Sequence, residues 1–98
     1  MNRSDAVRAK LARWGLRAIC LDCTLRVRWW PAAEGGPGGV KPSTGGELTP
    51  HRSRRLRDTS CPQCGTPALR SLYWCQRYPE RARALRDEIL RLRHTLDS

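Results

Sequence analysis

Two cysteine pairs, Cys20 and Cys23 in CLDC and Cys61 and Cys64 in CPQCG, constrain this 98-residue chain more than any other feature. The turn of a CxxC pair places its two sulfurs at neighbouring vertices of a tetrahedron, with Zn–S bonds of about 2.3 Å. Backbone N–H groups of the turn point at the sulfurs and stabilise the thiolates. Because two such turns supply four ligands and leave no position open for water or substrate, the spacing predicts one structural Zn²⁺.

The remaining composition favours a metal-stabilised domain. The chain contains no Phe and one Met, and a single domain of this size has only a marginally adequate core. The first residues, MNRSDAVRAKLARWG, show no secretory signal, and no apolar run is long enough to span a membrane, so we expect a cytoplasmic protein without a membrane span. In a reducing compartment, paired cysteines are more often metal ligands than disulfides.

Apolar periodicity divides the single domain, residues 1–98, into segments. Residues 1–15 predict an N-terminal helix, which Ser4 caps and Gly15 ends. Residues 16–30 predict a hairpin with the first cysteine pair at its tip. After that pair, Leu25, Val27 and Trp29 alternate with Arg26, Arg28 and Trp30, which is typical of a strand with one apolar and one basic side. Residues 59–78 carry the second pair and a short strand or hairpin that completes the sheet.

Residues 31–58 read as an insertion between the two cysteine pairs. Residues 31–50 include six Gly and four Pro, and this composition predicts a loop or a disordered segment. The basic run HRSRRLR, residues 51–57, then leads into the second cysteine pair. We expect this arm to be flexible and to offer arginine side chains to a polyanion.

Residues 79–98 predict a longer C-terminal helix, because Pro79 suits a first helical position. Its apolar residues recur at spacings of three and four: Ala82, Leu85, Ile89, Leu92 and Leu96. This stripe either packs on the domain itself or docks to a partner protein. For the second case the predicted contact residues are Leu85, Ile89, Leu92 and Leu96.

The two cysteine motifs, CLDC and CPQCG, each followed by strand-like sequence, resemble the two knuckles of the zinc-ribbon superfamily over residues 16–75. The resemblance implies a small α+β domain built from zinc-ribbon hairpins, in a nucleic-acid or nucleoprotein setting. The chain departs from the family pattern at Thr24, where a Gly would follow the first knuckle, and in its long spacer. CPQCG also resembles the second knuckle of rubredoxin, so an iron electron carrier stays open as an alternative.

The formal net charge is +10, from 19 basic and nine acidic residues. Such a charge favours polyanionic partners, because phosphates release counterions when basic side chains neutralise them. A GC-rich genome, which inflates Arg, Ala, Gly and Pro together, is the alternative explanation. The predicted nucleic-acid contacts are Arg8, Arg13, Arg26, Arg28, Trp30, Arg52, Arg54, Arg55 and Arg57.

No catalytic constellation can be assembled from the chain, and we expect neither an enzyme nor a small-molecule substrate. GGPGG lacks the strand, helix and Lys that a phosphate-binding loop needs. His51, His94 and Cys75 are not needed as ligands, and Cys75 reads as a small buried residue. The sequence therefore predicts a zinc-containing module that binds RNA or DNA within a larger transcription, translation or mobile-element assembly. A protein–protein adaptor that docks through its C-terminal helix is the alternative.

Overall fold

A five-stranded antiparallel sheet forms the centre of the fold. The structure, a computed structural model, describes residues 3–97. The strands are β1 (Leu16–Cys20), β2 (Arg26–Trp30), β3 (Gly38–Pro42), β4 (Thr49–His51) and β5 (Leu69–Ser71), in the order β4-β3-β2-β1-β5. The helices are α1 (Arg3–Trp14), α2 (Leu72–Arg77) and α3 (Pro79–Asp97), and a 3-10 turn spans Leu56–Asp58. The predicted α+β fold with helices at both ends is confirmed, while positions 1, 2 and 98 of the predicted helices lie outside the described residues.

The hairpin of β1 and β2 carries the first cysteine pair at its tip, as the alternation predicts. Val27 and Trp29 are 0% and 6% exposed, whereas Arg26 on the opposite face is exposed. The indole Nε1 of Trp29 donates a hydrogen bond of 2.9 Å to Thr59 Oγ1. This bond ties the sheet to the segment that leads into the second cysteine pair.

Residues 31–50 do not form the loop or disordered segment that their composition predicts. They contain β3 and most of β4, which extend the sheet beyond β2. A Cβ at Gly38 would collide with the backbone of Trp30 and Ala32, and a Cβ at Gly39 would press on Leu48. These glycines therefore allow close packing within the sheet, whereas the glycine content of the segment had suggested flexibility.

We expect Gly38→Ala to lower the free energy of unfolding by about 1–3 kcal/mol, because the added methyl group meets backbone atoms that cannot move aside cheaply. Gly36→Ala is the matched control, since a Cβ there has no atom within 4 Å. Thermal melts of the two metal-loaded variants provide the comparison. Equal melting temperatures would show that residues 38–42 do not pack as a strand.

The helices attach to the sheet unequally. No residue of α1 is buried, and its large apolar side chains, Val7, Leu11 and Trp14, are exposed. The segment after β5 forms α2 instead of continuing a hairpin, because the Ser71 hydroxyl accepts a hydrogen bond of 3.0 Å from the Trp74 N–H and caps a new helix.

The apolar stripe of α3 is divided between the core and solvent. Ala82 is buried, and Leu85 and Ile89 are half-buried against the core cluster. Leu92 and Leu96, in the last turns, are 60% and 85% exposed. The first part of the stripe thus closes the domain's own core. Within residues 3–97, no helix combines the length and the apolar character needed to cross a membrane.

Candidate metal centre and basic surfaces

The four predicted ligands, Cys20, Cys23, Cys61 and Cys64, meet at one point. Their Sγ atoms all lie within 4.8 Å of one another, and the Cys20–Cys64 and Cys23–Cys61 pairs are 3.6 Å apart. A tetrahedral ion with Zn–S bonds of about 2.3 Å has sulfur–sulfur edges of about 3.8 Å, whereas a disulfide needs about 2.05 Å. All five cysteines are free thiols. The donor set and its spacing therefore fit one four-coordinate metal ion.

The two CxxC turns have the same backbone geometry. The N–H after each pair bonds back to the carbonyl of its first cysteine, from Thr24 to Cys20 at 2.8 Å and from Gly65 to Cys61 at 2.9 Å. Both residues have positive φ, 67° at Thr24 and 80° at Gly65. Thr24 thus occupies the conformation that a glycine normally takes, at a cost of about 1–2 kcal/mol. Its hydroxyl donates a hydrogen bond of 2.6 Å to the Cys23 carbonyl.

Burial and hydrogen bonds set the protonation of the thiols. Burial raises the pKa of Cys20 and of Cys61, against the opposing effect of N–H groups in their own turns. Burial is the largest effect on the pKa of Cys64 and acts to raise it, but hydrogen bonds from Thr66, Cys20 and Cys23 together outweigh burial and leave this pKa at about 7. Without metal, Cys20 and Cys61 are therefore protonated at neutral pH. A metal ion must displace those protons to bind.

We expect metal affinity to rise with pH, because Cys20 and Cys61 each release a proton when the ion binds. The logarithm of the association constant should increase by at least about 2 per pH unit between about pH 6 and 8. Competition with a chromophoric chelator over that range measures the slope. Cys75→Ala, which removes a thiol outside the cluster, should leave the slope unchanged. Affinity that does not vary with pH would contradict the four-thiolate site.

Asp22, between the first two cysteines, links the metal centre to α3. Its side chain is only 1% exposed and receives hydrogen bonds from Thr66 Oγ1 at 2.7 Å and Arg93 Nη1 at 2.6 Å. The Thr66 bond, followed by the Arg93 interaction, lowers the pKa of Asp22 against the effect of burial. Arg86 Nη1 donates to the carbonyls of Leu21 at 2.6 Å and Asp22 at 3.0 Å. The cysteine spacing did not predict these contacts. The sequence features that could have indicated them are the carboxylate of Asp22 inside CLDC and the two arginines Arg86 and Arg93, seven residues apart on α3.

The other possible ligands lie outside the cluster. His51 Nδ1 accepts a hydrogen bond of 3.1 Å from the Ser53 N–H, so Nε2 carries the proton and faces the Gly39 carbonyl at 3.3 Å. The His51 ring stacks on Trp29 with centroids 5.7 Å apart. Cys75 is half-buried, and burial raises its pKa. His94 is exposed on α3.

The strand register brings basic side chains together on the sheet face opposite Val27 and Trp29. Arg28 lies opposite Arg17 on β1 and opposite Lys41 on β3. Arg26, two residues before Arg28 on β2, points to the same face. We call these four residues, Arg17, Arg26, Arg28 and Lys41, the basic sheet face. The sequence predicted Arg26 and Arg28 as nucleic-acid contacts. Only the strand register shows that Arg17 and Lys41 lie beside them.

The structure also groups part of the predicted basic run. Arg54, Arg55 and Arg57 line a cleft together with Arg70 of β5, a residue that the sequence did not single out. The remaining predicted contacts are dispersed. Arg52 lines a different cavity, and Arg8 and Arg13 are exposed on α1, with the Arg13 guanidinium 5.0 Å from the centre of the Trp14 ring.

The Trp30 ring is partly covered by neighbouring residues, which limits its access to a nucleic-acid base. A Cβ at Gly15 would lie 2.8 to 3.1 Å from its ring, so the ring rests against the Gly15 backbone. Lys41 Nζ lies 5.9 Å from the ring centre. The predicted base stacking on Trp30 stays a prediction, and a base would have to share the ring with these two neighbours.

Comparison with known proteins finds no matching family model, no matching curated relative and no matching solved structure.

Proposed function

We propose that this protein is a nucleic-acid-binding module whose shape depends on one structural Zn²⁺, and that it works in the cytoplasm as a small subunit or accessory factor of a larger nucleoprotein assembly. The closed set of four thiolates supports Zn²⁺, since a tetrahedral four-cysteine set is typical of structural zinc sites. Such a site leaves no open position for catalysis, which supports a binding role rather than an enzymatic one.

The basic sheet face is the observation that carries the nucleic-acid proposal. Adjacent strands lie about 4.8 Å apart, so the row formed by Arg17, Arg28 and Lys41 spans about 10 Å. Residues 16–20, 26–30 and 38–42, which form β1, β2 and β3, contain no Asp or Glu. Four cations on a rigid sheet with no acid on these strands suit a polynucleotide backbone, in which each strand of a duplex carries one phosphate per about 3.4 Å of helix axis.

We expect binding of a short random-sequence DNA duplex to weaken steeply between about 50 and 200 mM salt. Neutralising Arg26 and Arg28 with Gln should lower the affinity at least tenfold. It should also reduce the slope of log K against log salt by about 1.8, because each phosphate contact contributes about 0.9. Fluorescence anisotropy of labelled duplex, repeated with RNA, measures both quantities.

Arg83→Gln with Arg91→Gln is the matched control, because it removes the same charge from exposed positions of α3. If the control weakened binding as much as the β2 variant, affinity would follow net charge and not the basic sheet face. Salt-insensitive or undetectable binding of both DNA and RNA would refute the proposed function.

The exposed end of α3 favours a second candidate function, docking to a partner protein. Leu92 and Leu96 lie four residues apart beyond the part of the stripe that packs on the core. Leu85 and Ile89, also predicted as partner contacts, contribute to the domain's own core and are unsuitable for a binding test. Leu92→Asp with Leu96→Asp should preserve the melting temperature. The adaptor role requires that this variant lose a native protein partner and keep its nucleic-acid affinity.

A further inference from the structure

A cleft beside the 3-10 turn combines a cationic rim with an apolar floor. Its volume is about 470 Å³, within the range of small-ligand sites. Its lining includes four arginines, Arg54, Arg55, Arg57 and Arg70, which we call the rim, and partly exposed apolar residues, Leu16, Leu56 and Trp74, which we call the floor. We call the whole site the arginine cleft. None of Arg17, Arg26, Arg28 and Lys41 lines it, so the cleft and the basic sheet face can be tested separately.

The positive charge of the arginine cleft is not balanced within it. No Asp or Glu of the described residues lines the cleft. Burial, and next the nearby charge of Arg57, lower the pKa of Arg70, so these two guanidinium groups repel each other. Arg70 Nη1 donates to the Leu69 carbonyl at 2.8 Å, which fixes the guanidinium at the rim. An anion between Arg57 and Arg70 would relieve the repulsion and accept several charge-assisted hydrogen bonds.

The floor of the cleft suits a planar apolar group. Leu16, Leu56 and Trp74 are half-buried, so part of each side chain remains accessible to a ligand. The neighbouring Trp29 is fixed by Thr59 and stacked on His51, so it forms a rigid wall and not a mobile ring. A nucleotide would place its phosphate at the arginines of the rim and its aromatic base against the apolar floor. Inorganic phosphate would contact the rim alone.

We propose that the arginine cleft binds one unpaired nucleotide, with its phosphate between Arg57 and Arg70 and its base against Trp74. This inference rests on the proposed function insofar as the nucleotide belongs to a polynucleotide strand. A base inside a duplex cannot enter, because both of its faces are covered by stacked neighbours. A free nucleotide carries the same chemistry, so the source of the nucleotide is a question for the experiment.

Titration of the zinc-loaded protein with adenosine 5′-monophosphate tests the cleft without any polynucleotide. The Trp74 indole N–H resonance should shift, and affinity should be at least tenfold higher than for inorganic phosphate or adenosine alone. Arg57→Gln, at an exposed position that should not disturb the fold, is expected to weaken binding at least tenfold. Arg52→Gln removes the same charge from the same basic run outside the cleft and should change affinity less than twofold. An equal loss of nucleotide affinity in the two variants, or a Trp74 indole N–H resonance that does not shift on titration, would overturn the proposal.

A second arm identifies the source of the nucleotide. A DNA duplex with a short single-stranded overhang should bind more tightly than the blunt duplex, and Arg57→Gln should weaken binding of the overhang duplex more than it weakens binding of the blunt duplex. Nucleotide binding in the cleft without any overhang preference would assign the site to free nucleotides and remove the strand-bound part of the inference. Duplex binding with no cleft response would leave the proposed function standing and refute the cleft alone.

Discussion

The convergence of four cysteine thiols on one point, at the spacing that a single tetrahedral metal ion requires, is the constraint on which the rest of the structure depends. It joins the tip of the β1–β2 hairpin to residues 61–64, which are distant in sequence. The largest fully buried side chains are only Leu69, Val27, Val40, Thr59 and Cys20. Such a small core leaves little hydrophobic stabilisation to offset the entropy lost by ordering about a hundred residues. A structural metal supplies binding free energy that is also folding free energy.

The metal centre also positions the C-terminal helix. Asp22 lies between two ligands, and its buried carboxylate pairs with Arg93, while Arg86 binds the carbonyls of the same turn. An ion bound in the turn would hold these acceptors in place for α3. Because β1 and β2 extend directly from the turn, it would also hold the β1–β2 pairing that sets Arg17 opposite Arg28. The docking of α3 and this part of the cationic surface therefore both depend on the geometry of the same turn.

The sequence predicted local features better than the contacts between distant segments. Cysteine spacing predicted the four-cysteine cluster, and alternation around Val27 and Trp29 predicted β2. The strands in residues 31–50 were missed, because Gly38 and Gly39 have the composition of a flexible loop and their role is visible only beside Trp30 and Leu48. The sequence around Arg70 and Lys41 does not distinguish them from other basic residues. They group with other arginines only because the fold brings them together. Asp22 was missed because its partners Thr66 and Arg93 lie 44 and 71 residues away.

The most direct test of the account is to measure metal content and then compare thermal unfolding of the loaded and chelator-stripped protein. The account predicts one Zn²⁺ per chain, a colourless sample, and loss of the cooperative transition and of sheet structure on stripping, with recovery when Zn²⁺ is restored. Bound iron with a red colour would instead indicate an electron carrier. A stripped protein that kept its structure and its melting temperature would contradict the central claim that the metal cross-link holds the fold together.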